Sequence, residues 1–358
     1  MQWKNDTYTG WGRALKAQGE LARPERIKEL RDLFRESAAP AIGARRSYGD
    51  AALNSGGRAI DMTRLDRLIS FDPDTGVVEA EAGVTMADLV KIFVPKGWMP
   101  AAVPGTGAVT LGGAIAFDVH GKNHADAGSF GQYIESLHLI GLNKARTISP
   151  KREAKLFAAT MGGMGQTGII ESARLRLVHC PSPGIELVET RVSGLAEMVR
   201  RIEDSSAPFT VGWIDTQARG DDLGRGILEE ARFPGLAPEE PISGRVSSVP
   251  FDMPSFVLSG AFVKLFNALY LRRVSNAGRI RIVDLHDFLF PLDKIAHWNR
   301  LYGRRGMHQF QAILPETEMS VIEAILGEIA NGSVAAPLAV LKKTGPGHAG
   351  PMSVPMEG

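Results

Sequence analysis

Apolar positions along this chain recur with two periods. Ile27, Leu30, Leu33 and Phe34 fall at helical spacing and mark one face of a helix, with Pro24 suited to its first position. Thr85, with Asp88 three residues on, opens a second helix that runs to about Val94. Further helical patterns cover 153–160, 195–202 and 317–330. Between them lie short apolar or alternating runs with strand character: 41–42, 59–61, 69–71, 77–82, 133–140, 169–178, 209–214 and 308–314. In the last run Gln309 and Gln311 share one face and Phe310 and Ala312 the other; the paired amides suit a polyhydroxyl ligand or an exposed sheet face. Leu338, Val340 and Lys342 also share a strand face, so Lys342 either snorkels or serves a site. Residues 218–249, rich in charge, glycine and proline, read as loop. The mixture predicts an α+β fold. Two prolines and a glycine after Cys180 mark the best boundary, dividing the chain into residues 1–180 and 181–358.

Composition narrows the classes of function. A chain of 358 residues with net charge +1 has no concentrated basic character, which argues against nucleic-acid binding. Its one cysteine, Cys180, excludes an internal disulfide and fits a reducing compartment. The first twenty residues hold no apolar run of the secretory kind, so a cytoplasmic location is expected. The stretch from Phe256 to Leu271 is apolar but interrupted by Lys264 and Asn267 and followed by Arg272 and Arg273. It is too short to span a bilayer, leaving a buried helix or a surface-lying lipid contact.

Candidate chemistry concentrates between Pro104 and Gly131. Seven glycines in that stretch allow sharp turns and let a ligand rest on peptide N–H groups, so its first half reads as a backbone cradle for an anion such as a pyrophosphate. His120, Lys122 and His124 follow it. A second turn, Gly43-Ala44-Arg45-Arg46-Ser47-Tyr48-Gly49-Asp50, offers N–H groups, a hydroxyl and guanidinium groups after a short strand. A plain tight turn is the competing reading at both places. The G-x-G-x-x-G at Gly163–Gly168 is not a dinucleotide fingerprint: the helical pattern precedes it and the strand follows it, the reverse of the required order. No metal site is expected, because Gly121 argues against a helix that would pair His120 with His124, and no third ligand accompanies them.

The blocks RSYGD (46–50), PGTGAVTLGGAIAFDVHGKNHADAGSFG (104–131) and GGMGQTGII (162–170), with FPLDKIAHWNRLYG (290–303) and the Gln309/Gln311 pair, resemble one family over essentially the whole chain. They are similar to flavoproteins of the vanillyl-alcohol-oxidase/p-cresol-methylhydroxylase type and, within it, to the decaprenylphosphoryl-β-D-ribose 2′-oxidase family. The resemblance implies an FAD domain of two α+β subdomains, followed by a substrate domain with an antiparallel sheet flanked by helices. It places FAD contacts at Ala41, Ile42, Gly43, Ala44, Arg45, Arg46, Ser47, Tyr48, Gly49, Asp50 and Ala51. Further contacts fall at Gly105, Thr110, Leu111, Gly112, Gly113, Phe117, Asp118, Val119, His120 and Ile170. Many relatives attach FAD to a histidine in the first turn; Arg45, Arg46 and Ser47 stand there here, so the FAD is expected to be non-covalent. The implied reaction oxidises the ribose 2′-hydroxyl of a polyprenylphosphoryl ribose to a ketone, with flavin carrying the redox step. His120 and Lys122 would shape charge beside the flavin ring, with Tyr48 packing near it. Trp213, Gln309, Gln311 and Lys342 would meet the substrate. The implied partners are a lipid-linked sugar phosphate, a short-chain reductase that completes epimerisation, and a peripheral membrane contact. An alditol or sugar-lactone oxidase, and a flavin-binding subunit without catalysis, are the alternatives. The family continues past the Ser353-Val354-Pro355 motif into a tail with further active-site residues, none of which is assigned in this sequence.

Overall fold

A computed structural model describes residues 2–142, 144–235, 246–315, 317–332, 336–353 and 358. Two antiparallel five-stranded sheets carry most of the architecture. The first orders its strands Leu68–Asp72, Val77–Glu81, Ile169–Arg176, Ile134–Ile140 and Ala145–Ile148. Its central strand alternates in the way the sequence predicts, with Ala173 and Leu175 buried and Arg174 and Arg176 exposed. The second sheet orders Arg279–Asp284, Gly184–Val192, Gly226–Arg232, Phe209–Ile214 and Ala339–Leu341. A smaller four-stranded sheet near the N-terminus pairs Lys4–Thr9 with Lys16–Ala22 antiparallel, then adds Arg58–Asp61 and Ala41–Ile42 in parallel. The fold is mixed α+β, as expected.

The helix Met86–Phe93 forms where the pattern requires it. The Thr85 hydroxyl accepts the Asp88 N–H at 3.1 Å, while the Asp88 carboxylate accepts the Thr85 N–H at 3.3 Å, satisfying two donors that a helix start leaves free. Met86, Leu89, Val90 and Phe93 are buried, at i, i+3, i+4 and i+7. The largest buried apolar cluster begins in these elements and continues into Ile185, Leu187, Phe209 and Phe288–Phe290, so the packing runs on past residue 180.

Three sequence expectations are corrected. Pro24 does not begin a helix: that helix is Ile27–Glu36, and Glu29 accepts the Glu25 N–H at 2.9 Å, which holds the preceding residues outside it. The 218–249 stretch is not all loop; Gly226–Arg232 is an inner strand of the second sheet. Its adjacent Glu229 and Glu230 disguise a buried strand, and each carboxylate is answered, Glu229 by Lys122 and Arg273 and Glu230 by the Ser205 hydroxyl. Residues 308–314 form no strand: they have no ladder partners, and Phe310 is 75% exposed.

Candidate functional site

Four sequence blocks meet at their backbones. A Cβ placed on Gly12 would lie 2.3 Å from the Tyr48 carbonyl oxygen, and one on Gly10 2.6 Å from that of Ser47. Only glycine lets the strap Gly10–Arg13 run this close to the RSYGD turn, and the Trp11 N–H donates to the Ser47 carbonyl at 2.9 Å. The guanidinium of Arg46 lies 4.0 Å from the centre of the Trp11 ring, and Trp298 meets both Trp11 and Tyr48 at 6.0 Å. A Cβ on Gly43 would collide with the Thr110 hydroxyl at 2.3 Å, so the first turn sits directly on the second cradle. Thr110 caps the short helix Leu111–Ala116 by accepting the Gly113 N–H at 3.2 Å. The 162–168 loop closes the group: the Gly162 and Met164 N–H groups donate to the carbonyls of Ile115 and Ala116.

The following segment builds a cationic, largely buried centre. The Lys122 ammonium donates to the Phe288 carbonyl at 2.9 Å, sits 4.0 Å from the Phe288 ring centre and faces Glu229 at 3.6 Å. Burial lowers the pKa of Lys122, and Glu229 opposes that shift. Burial, reinforced by the charge of Lys122, pushes Lys342 down to about 8. His120 is pushed down to about 3, first by burial and then by Lys342 and His124, so its ring is neutral near pH 7. The His120 and His124 rings meet edge to face at 5.6 Å, and His120 Nδ1 is buried without a partner. Glu229 also faces Arg273 at 3.3 Å, and Arg273 and Arg281 both pair with the fully buried Glu189.

The sequence-predicted residues divide on inspection. The contact of Gly43 with Thr110 joins the 41–51 turn to the 110–113 turn, Gly105 borders open space, and Lys342 lies close enough to His120 and Lys122 for their charges to interact. Asp118 is fully buried at φ 41°, with its carboxylate taken by the N–H groups of Gly131 at 2.6 Å and Ala349 at 3.2 Å. Its side chain therefore holds loops together, leaving only its backbone for a cofactor. The Ile170 side chain lies in the core, and Phe117 is exposed. Trp213 packs at 4.6 Å on Tyr270 in a buried cluster with Ile227, Leu271 and Val274. Gln309 and Gln311 hydrogen-bond to each other at 3.4 Å and are exposed. Lys342 follows the strand Ala339–Leu341; the apolar residues predicted to share its face, Leu338 and Val340, are exposed, so the common apolar face does not form.

The description "FAD binding domain" matches residues 21–148. Decaprenylphosphoryl-beta-D-ribose oxidase of Mycolicibacterium smegmatis is 33% identical over 98% of this chain and 80% of its own length. The chain belongs to the decaprenylphosphoryl-β-D-ribose oxidase family. More distant likenesses cover only part of the chain. A D-lactate dehydrogenase of Anaerostipes hadrus is 24% identical over 47% of this chain and 38% of its own, and cytokinin dehydrogenase 4 of Arabidopsis thaliana 27% over 40% and 28%. The match over 98% of this chain sets the family, and the chain is an FAD-dependent oxidoreductase.

The cradle fits the family's cofactor on its own geometry. A Cβ on Gly49 or Gly105 would meet nothing within 4 Å, so both turns border open space. Arg46 is a half-buried cation whose buried Nε has no hydrogen-bond partner, a donor suited to a phosphate oxygen. Residues 41–51 and 105–113 would hold the FAD.

Two residues escaped the sequence reading. Asp293, in the FPLD block, accepts the Thr106 hydroxyl at 2.6 Å and the Gly107 N–H at 2.7 Å, so the second half of the chain grips the glycine-rich cradle. Glu229 is the counter-charge of Lys122. The only signal for it was a pair of glutamates in an otherwise apolar run.

Proposed function

We propose that this enzyme oxidises the ribose 2′-hydroxyl of a polyprenylphosphoryl-β-D-ribose to the 2′-ketone, the first half of an epimerisation to the arabinose form. The observation that carries this reading is the full-length likeness to an oxidase of that name. The cationic centre supports it. Lys122 and Lys342 sit close enough for their charges to interact, and Glu229 answers Lys122, which leaves Lys342 suited to a phosphodiester. In this reading residues 1–180 hold the cofactor and 181–358 the substrate.

Bound FAD supplies the hydride acceptor for the ribose carbon. The chain's residues do the rest. Lys122 and Lys342, as cations, bind the anionic end and orient the sugar, and the departing hydroxyl proton passes to solvent. His120, neutral near pH 7, contributes a hydrogen bond rather than a charge, in contrast to the sequence expectation. Tyr48, kept protonated by burial, packs the wall beside Trp298. Gln309 and Gln311 meet sugar hydroxyls only after their exposed segment closes over the substrate. The FAD is held non-covalently, since Arg45, Arg46 and Ser47 occupy the first turn. The keto product calls for a reductase of the short-chain type. The substrate's lipid tail places the work at a membrane face, and among the described residues no helix is long and apolar enough to cross a membrane.

The reading is tested by mass spectrometry of the turnover product. Loss of two hydrogens from a polyprenylphosphoryl ribose, localised to C2 by borodeuteride trapping, is expected. An unchanged sugar, with free alditols oxidised instead, contradicts it.

A further inference from the structure

The helix Gly260–Arg272 wears its apolar side outward. Phe262, Leu265, Phe266 and Leu269, at i, i+3, i+4 and i+7, form one exposed stripe, with Leu265 57% and Leu269 58% exposed. The preceding turn Ser255–Leu258 adds Phe256, 64% exposed and 6.5 Å from Phe262 ring to ring. A surface helix of a globular protein ordinarily shows polar residues on this side. The expectation of a buried helix is therefore corrected: only Val263, Asn267 and Leu271 of this helix are buried.

Charge identifies what the stripe meets. From Met253 to Val283 the chain has no acidic residue; of its five basic ones Arg273 and Arg281 pair inward with Glu189, leaving Lys264, Arg272 and Arg279 exposed. The turn Ser255–Leu258 packs against the turn Trp298–Arg305, which brings the exposed Arg304 and Arg305 alongside, and residues 295–314 are also free of acidic groups. We infer that this apolar stripe with its cationic rim is a docking surface for an anionic lipid bilayer. Apolar side chains entering the headgroup boundary, with cations drawn to anionic lipid, are the recognised means of interfacial binding. A symmetric pairing of two copies through this face fits less well, because it would press the cationic rim against itself.

The inward side of the same helix reaches the candidate site. Tyr270 packs on Trp213 with tilted rings, the buried Asn267 donates to Asp215 at 2.7 Å, and Arg273, just beyond the helix, faces Glu229, the partner of Lys122. Docking thus sets at the bilayer surface the helix whose inner contacts run through Arg273 and Glu229 to Lys122. The purpose of this surface rests on the lipid-linked substrate reading; its geometry does not.

The test is co-sedimentation of the FAD-loaded protein with vesicles of phosphatidylcholine alone or with 30% phosphatidylglycerol by composition, about a third of anionic lipid as in acidic membranes. Binding to the anionic vesicles at least tenfold above the neutral ones is expected, falling with added salt. L265S/L269S should lose at least tenfold, and R304Q/R305Q about 30-fold, taking roughly fivefold per arginine near an anionic surface. Both variants should oxidise a water-soluble, short-chain prenylphosphoryl ribose at the wild-type rate, which shows that they fold. Equal binding of wild type and variants, no preference for anionic lipid, or a dimer that the variants dissociate would each overturn the proposal. Vesicle binding without oxidation of any prenylphosphoryl ribose would leave the docking surface standing and sink the substrate reading instead.

Discussion

Lys342 is the residue whose environment makes the sharpest claim. Its pKa near 8, against an ordinary 10.5, means that it is cationic below about pH 8 and neutral above. If it holds the anionic end of the substrate as a cation, kcat/KM should fall as pH rises through about 8, since this parameter reports free-enzyme groups. Lys342→Met should lower kcat/KM at pH 7 and abolish that fall. A profile flat from pH 7 to 9.5 in the wild type would remove Lys342 from the site. Asp293 makes a second claim at this scale. Its carboxylate accepts two hydrogen bonds from the cradle loop, and bonds to a charged acceptor are worth about 1.5–3 kcal/mol each. Asp293→Ala is expected to weaken FAD binding tenfold or more, read as flavin fluorescence released on dilution, while Asp293→Asn keeps part of the grip. Unchanged retention in both variants would make Asp293 a surface bystander.

At the scale of elements, the strap Gly10–Arg13 is built for contact. A side chain at Gly12 meets two backbone oxygens, of Tyr48 at 2.3 Å and Met307 at 2.7 Å, neither of which is a flexible side-chain end. Gly12→Ala should cost about 1–3 kcal/mol, lowering Tm and loosening FAD together; a Tm within a degree of wild type would show that the strap is free to move. The elements also show what a sequence reveals. Thr85 with Asp88, and the buried stripe behind them, read correctly because capping and periodicity are local chemistry. The strand Gly226–Arg232 did not, because Glu229 and Glu230 are stabilised by partners from distant segments: Lys122 and Arg273 for one, Ser205 for the other. The 308–314 run fails in the opposite way, alternating without any strand to pair with. Of the site, the glycine-rich turns were legible because close backbone approach demands glycine. The grip of Asp293 and the loop-pinning role of Asp118 were not, since both depend on which loops meet in space.

At the scale of the whole molecule, the cofactor cradle and the cationic centre are joined by shared packing. Phe290 is fully buried beside Gly107, and Phe288 shelters Lys122, so the segment that closes the cradle also walls the cationic centre. The apolar helix lies on the outer side of that same half and connects inward through Trp213 and Glu229. The glycine-rich cradle, the cationic centre and the apolar helix thus follow one another along a single packed path. The central claim of this account is that the path serves oxidation of a lipid-linked ribose. The most direct measurement is an anaerobic visible spectrum of the purified, FAD-loaded protein before and after a polyprenylphosphoryl ribose is added. Bleaching of the flavin band by that compound, and not by free alditols, is the predicted result. A flavin band that persists with the lipid-linked sugar but bleaches with an alditol would contradict it.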